Sequence, residues 1–116
     1  MTSLETARIA AKALSDKKGL DIRVIRINDI SVLADYMVIA TGTSSTQVKA
    51  MSDSVEYELD KAGISVSHIE GYRSNSWILM DYIDVIVHVF MEEARNFYDL
   101  ERLWKDGEII DVSDIL

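Results

Sequence analysis

Hydrophobic positions along this chain change period several times, and each change marks an element. Leu4, Ala7, Ile9, Ala10, Ala11, Ala13 and Leu14 recur at helical spacing and predict a helix over residues 3–18. Lys17 and Lys18 suit the negative end of its dipole, and Gly19 suits its cap. Ile22, Val24 and Ile27 predict a strand with Arg23 and Arg26 on its other side, ended by Asn28 and Asp29. Tyr36 to Ala40 is a continuous apolar run, the pattern of a strand buried on both faces. Val48, Met51, Val55 and Leu59 share one face of a helix from Thr46 to Ala62, with Ser44 or Ser45 as N-cap and Gly63 as C-cap. Ile64 to Ile69 has the period of a short strand. As the far end of a strand–helix–strand unit, it is expected to run parallel to the 36–40 strand.

The second half of the chain is denser in large side chains. Trp77–Met80 and Val85–Phe90 predict an antiparallel hairpin turning through Asp81-Tyr82-Ile83-Asp84. A helix from Glu92 to Trp104 follows, with Glu92 and Glu93 at its positive end and Arg102 and Lys105 near its negative end. Its period places Phe97, Leu100, Leu103 and Trp104 toward the core, and Arg95, Tyr98, Asp99, Glu101 and Arg102 mostly elsewhere. The order is α-β-β-α-β-β-β-α, a single α/β (α+β) domain with a mixed sheet of about five strands flanked by helices. The domain is expected over 1–105, with an acidic tail over 106–116 that packs as a short extension or frays.

Composition narrows the function classes. There is no cysteine, which removes disulfides and thiolate chemistry. The first 14 residues lack the apolar core of a signal peptide, and no apolar run nears the roughly 20 residues of a membrane span. A soluble cytoplasmic protein is expected. The formal net charge is -8, the reverse of a free-standing nucleic-acid binder. The charge is also uneven: residues 1–26 carry six basic and three acidic groups, residues 92–116 three and eight. An acidic face repels RNA and attracts a basic protein, although on composition alone a plain solubility charge is the favoured reading.

Three candidate sites have ordinary structural explanations. Thr41-Gly42-Thr43-Ser44-Ser45 opens a helix, where free amides attract anions, but it lacks the spacing of a phosphate loop and reads as a turn plus cap. Asp81 and Asp84 offer paired carboxylates for a metal ion, yet aspartate is also a common turn residue. His88 shares a strand face with Ile86 and Phe90, the setting of a hydrogen-bonded core histidine, and two histidines without cysteine make a poor zinc site. The aromatics are more telling: seven of the nine lie between Tyr72 and Trp104. Such density fills a core or anchors a partner, and the residues alone leave both open.

Five blocks then identify a resemblance. They are Leu33-Ala-Asp-Tyr-Met-Val-Ile-Ala-Thr-Gly-Thr-Ser44, Glu70-Gly71, Trp77-Ile-Leu-Met-Asp-Tyr82, Asp84-Val-Ile-Val-His-Val-Phe90 and Phe97-Tyr-Asp-Leu-Glu-Arg-Leu-Trp104. In order and spacing they resemble the ribosomal silencing factor (RsfS, Iojap-related) family over residues 3–105. The resemblance implies a nucleotidyltransferase-like fold without transferase activity and without a cofactor. It implies binding to the large ribosomal subunit through ribosomal protein fourteen (uL14), steric exclusion of the small subunit, and lower translation when nutrients are scarce. Carried onto this chain, the partner-binding surface is expected to use Tyr72, Trp77, Met80 and His88 from the strands. From the last helix it is expected to use Arg95, Tyr98, Asp99, Glu101 and Trp104. No membrane and no sequence-specific nucleic acid is expected as a partner. The rival readings are a metal-dependent nucleotidyltransferase-like enzyme using Asp81 and Asp84, and a homodimer through a strand edge or the aromatic face. Two departures from the family pattern stand out: Ile83 where many members have glycine, and Thr46-Gln47 where many have Arg-His.

Overall fold

A computed structural model describes residues 1–71 and 76–116. Helix α1 spans Ser3–Asp16, strand β1 Leu20–Arg26, β2 Tyr36–Gly42, helix α2 Ser45–Lys61 and β3 His68–Glu70. Then come β4 Trp77–Asp81, β5 Val85–Met91, α3 Glu92–Tyr98, α4 Leu100–Leu103 and β6 Glu108–Ile110. One six-stranded sheet takes the order β3-β4-β5-β2-β1-β6. Its sixth strand comes from the segment after Trp104, pairing Val24 with Ile110 and Arg26 with Glu108. Val112 beyond it is buried against the α1 side.

The parallel pair is not the expected one. β2 lies parallel to β5, Tyr36 opposite Val85 and Gly42 opposite Met91. β3 sits at the far edge, antiparallel to β4. β3 does run in the same direction as β2, but the β4–β5 hairpin lies between them. A strand as long and apolar as β5 gains more in the centre, against the fully buried β2, than the three-residue β3 would.

Alternation along each strand divides the core into two layers. Val24, Val38, Ala40, Ile78, Met80, Val87 and Val89 face α1 and α2. Ile25, Ile27, Met37, Ile39 and Phe90 face the opposite side, where Trp77, Ala94, Leu100 and Trp104 pack against them. Each such side chain, fully buried, contributes about 1.5–3 kcal/mol. Among the described residues, the second layer is roofed by the short helices α3 and α4.

Caps follow the sequence with one correction. Thr2 and Glu5 form a capping box on α1, and Ser44 accepts the Gln47 amide to cap α2. After α2, Gly63 takes φ 87°. Its amide bonds to Asp60 and that of Ile64 to Leu59, the double bond of a left-handed C-cap. At the end of α1, however, the left-handed residue is Lys18 at φ 64°, not Gly19. Space at Gly19 is tight, since a Cβ there would lie 3.0 Å from the Leu14 carbonyl oxygen and would push aside the flexible Met51 terminal methyl, 2.7 Å away.

Candidate functional site

The α3–α4 region departs most from expectation. The predicted helix from Glu92 to Trp104 breaks at Asp99, which adopts φ 47° and ψ 52°. Aspartate is among the few non-glycine residues that visit this region readily. The break invalidates helical period beyond it. Phe97 and Leu103, expected in the core, are 81% and 69% exposed. Arg95, expected outward, is buried. Leu100 and Trp104 do pack inward, against the second core layer.

Four rings converge where α3 meets the sheet. Trp77 stacks on Phe90 at 5.2 Å between centroids and at 24°. Its indole N–H donates to Nδ1 of His88 at 3.1 Å. Tyr98 leans over Trp77 at 4.5 Å, and Phe97 meets Tyr98 edge-on at 5.2 Å. The stack therefore runs from a fully buried ring, Phe90, to an exposed one, Phe97. Beside it, Glu70, Gly71, Ser76, Trp77, Leu79 and Tyr98 line a cleft of about 280 Å³.

His88 belongs to the foundation of this corner. Burial pushes its pKa down from 6.5 to about 4, so the ring is neutral at physiological pH. With Nδ1 accepting from Trp77, the imidazole proton is assigned to Nε2. A neutral acceptor fixed in this way orients the indole.

Arg95 ties the corner to the sheet. Its Nη1 donates to the Thr41 hydroxyl at 2.8 Å and the Asp21 carbonyl at 2.7 Å. Its Nε donates to Glu101 at 3.0 Å, and the other oxygen of Glu101 meets Arg23 at 3.1 Å. A buried guanidinium needs this degree of satisfaction, because removing one partner of such a pair costs about 3–5 kcal/mol.

The expected partner-facing residues thus separate. Trp77, His88 and Tyr98 come together, Asp99 is exposed at the break, and Trp104 is half-buried beneath α4. Arg95 and Glu101 form the internal network. Met80 is fully buried on the α1–α2 side and has no surface to offer, because alternation turns it away from Trp77. Tyr72 lies outside the described residues. Exposed Phe97 and Leu103, with half-buried Leu79 lining the cleft, complete the apolar corner and were not anticipated there. For Leu103 the signal was the aspartate that ends α3.

The other candidates are occupied by local structure. Asp81 accepts the Ile83 amide at 2.7 Å, and the Asp84 carbonyl accepts the amides of Asp35 and Tyr36. Among the described residues no three His, Asp or Glu side chains are grouped to hold a metal ion. In the Gly-Thr-Ser turn the Thr43 amide donates to the Gln47 side chain at 2.6 Å. The Gln47 amide group in turn donates to the carbonyls of Lys17 and Lys18, joining the start of α2 to the end of α1. Among the described residues no helix is long and apolar enough to cross a membrane.

The fold and this corner define a small mixed-sheet α+β domain with a projecting aromatic surface. The sequence profile of a family described as "Ribosomal silencing factor during starvation" (RsfS) matches residues 1–116. A Bacillus subtilis protein named ribosomal silencing factor RsfS is 38% identical over 112 residues, covering 97% of this chain and 95% of that one. A Chromobacterium violaceum protein of the same name is 41% identical over 100 residues, covering 86% and 82%. A crystal structure of a protein from Chromobacterium violaceum superposes with TM-score 0.89 at 38% identity, covering 97% of this chain and 93% of the other. The chain belongs to the RsfS family.

Proposed function

We propose that this protein is a ribosome-associated silencing factor of the cytoplasm. It binds the large ribosomal subunit through ribosomal protein fourteen and stands where the small subunit docks, so that joining fails. The observation that carries this reading is the exposed Phe97–Tyr98 pair seated on Trp77, in a chain of the silencing-factor family. Aromatic rings already held by packing make effective interface anchors, because little side-chain entropy is left to lose. Asp99 and Glu70 place carboxylates beside these anchors, and a net charge of -8 favours a basic protein over bare RNA. Occlusion of this kind requires no reacting group, and the protein acts as a regulator rather than an enzyme.

Sucrose-gradient sedimentation with purified subunits tests the binding. The chain is expected in the large-subunit fraction and absent from the small-subunit fraction. A chain that stays at the top of the gradient contradicts the proposal. Light scattering of the chain alone reports whether the same corner also pairs two copies.

A further inference from the structure

The Arg95–Glu101 contact carries information beyond its own energy. In an unbroken helix, residues six apart stand about 120° apart around the axis and about 9 Å along it. They do not meet. Here they meet at 3.0 Å because Asp99 takes a left-handed conformation and turns α4 back toward the sheet. The contact exists only in the broken form of this segment.

Both ends of the contact are anchored in an irregularity of the sheet. β1 shifts register between Leu20 and Arg23, and Asp21 within that shift adopts φ 48°. Its carbonyl is thereby available to Arg95, whose second partner is the Thr41 hydroxyl on β2. Arg23, just past the shift, supplies the second cation to Glu101. Two left-handed aspartates, one on each side, thus frame a single buried guanidinium.

The consequence lies at Tyr98 and Phe97. They are the last two residues before the break, Tyr98 over Trp77 and Phe97 edge-on to Tyr98, and their placement depends on how Arg95 holds α3 to the sheet. We propose that Arg95, Glu101 and the left-handed Asp99 form a latch that positions the aromatic corner for its partner. Without the break Glu101 leaves Arg95, and α3, which carries Tyr98, loses part of its hold on the sheet beside Trp77. Arg95 and Glu101 are positioning residues in this scheme: they act through the rings and do not touch the partner. The inference rests on the ribosome-binding reading above.

Substitution at Asp99 separates backbone from side chain. D99G and D99A both remove the carboxylate, but glycine accepts positive φ and alanine favours the continuous helix. With purified large subunits, D99A is expected to bind at least tenfold more weakly than D99G. Its near-ultraviolet circular dichroism is expected to lose the Trp77–Tyr98 signal while the far-ultraviolet spectrum keeps its helix content. If D99A does not fold, E101A and E101Q supply the same contrast, since glutamine keeps an acceptor for Arg95. Equal affinity of the folded members of a pair, with the parent chain binding normally, overturns the latch alone. Failure of the parent chain to bind subunits overturns the ribosome-binding reading and, with it, the role assigned to the latch.

Discussion

The indole of Trp77 donates its N–H to Nδ1 of His88, 3.1 Å away on the neighbouring strand. This bond joins the exposed corner to the centre of the sheet. It also makes the corner sensitive to acid. The folded-state pKa of His88 lies near 4, below the 6.5 of an unfolded histidine, so the neutral ring contributes stability that is fully present above pH 6.5. That contribution falls as pH drops from 6.5 toward 4 and is gone once the folded ring protonates. The whole loss is on the order of 3 kcal/mol. His88→Gln keeps a carbonyl acceptor but cannot titrate. Urea unfolding from pH 7 to pH 4 should show a stability gap between parent and variant that closes, or reverses, toward the acid end. A gap constant across that range contradicts the assignment.

Ile83 occupies the tip of the β4–β5 hairpin at φ 73° and is 67% exposed. The Asp84 amide bonds back to the Tyr82 carbonyl across it, which makes a three-residue γ-turn of the rare positive-φ kind. A β-branched residue is strained there, and little burial offsets the strain. Ile83→Gly should stabilise the fold by about 1 kcal/mol, net of glycine's own entropy, and raise the melting temperature by several degrees. Differential scanning calorimetry measures this directly.

The Tyr82 hydroxyl is buried with no hydrogen-bond partner among the described residues, near Glu56 and Asp60 of α2. Burial raises its pKa well above the ordinary tyrosine value, with the two carboxylates adding to the effect. The ring stays protonated under all ordinary conditions. Removing an unsatisfied buried hydroxyl relieves a desolvation penalty of about 1–3 kcal/mol, in part or in full. Tyr82→Phe should be neutral to stabilising in chemical denaturation, whereas loss of more than about 1 kcal/mol would show that the hydroxyl has a partner.

Phe97→Ala and Tyr98→Ala remove exposed rings from the surface side of the corner. Stability should change by less than about 0.5 kcal/mol for Phe97, which is largely solvated. Large-subunit affinity should fall about tenfold or more for the double variant, equivalent to about 1.4 kcal/mol. Met80→Leu, on the opposite core layer, should leave binding unchanged.

The legibility of this chain in its sequence was uneven for physical reasons. Element positions were readable where period and caps agreed, as for α2 between Ser44 and Gly63. The mixed sheet and its helices were readable, but the neighbour of β2 was not, because strand pairing is a long-range choice that local period does not encode. The sixth strand was hidden in an acidic segment with only Ile109, Ile110 and Val112 to mark it. Within the site, the family motif drew attention to Trp77, His88 and Tyr98, which the fold brings together. Helical period then misplaced Leu103, since one left-handed aspartate resets the phase of everything after it, and it misplaced Phe97 and Arg95 because the short helix before the break turns Arg95 inward instead of continuing the face of Leu100 and Trp104. Met80 was included on residue type, and strand alternation alone puts it on the face away from Trp77. The Thr46-Gln47 departure also has a local meaning. Gln47 bridges two helix ends, a structural task that a histidine in its place would perform differently.

If the proposed occlusion holds, the protein prevents subunits from joining by covering the surface where they meet. The most direct test of this is light scattering as purified small and large subunits are mixed, with the large subunits first saturated with this protein. A dose-dependent drop in the yield of joined ribosomes is expected, relieved in parallel with lost binding in the Phe97→Ala, Tyr98→Ala double variant. Joining at the normal rate and yield on large subunits shown to carry the protein would contradict the proposed occlusion.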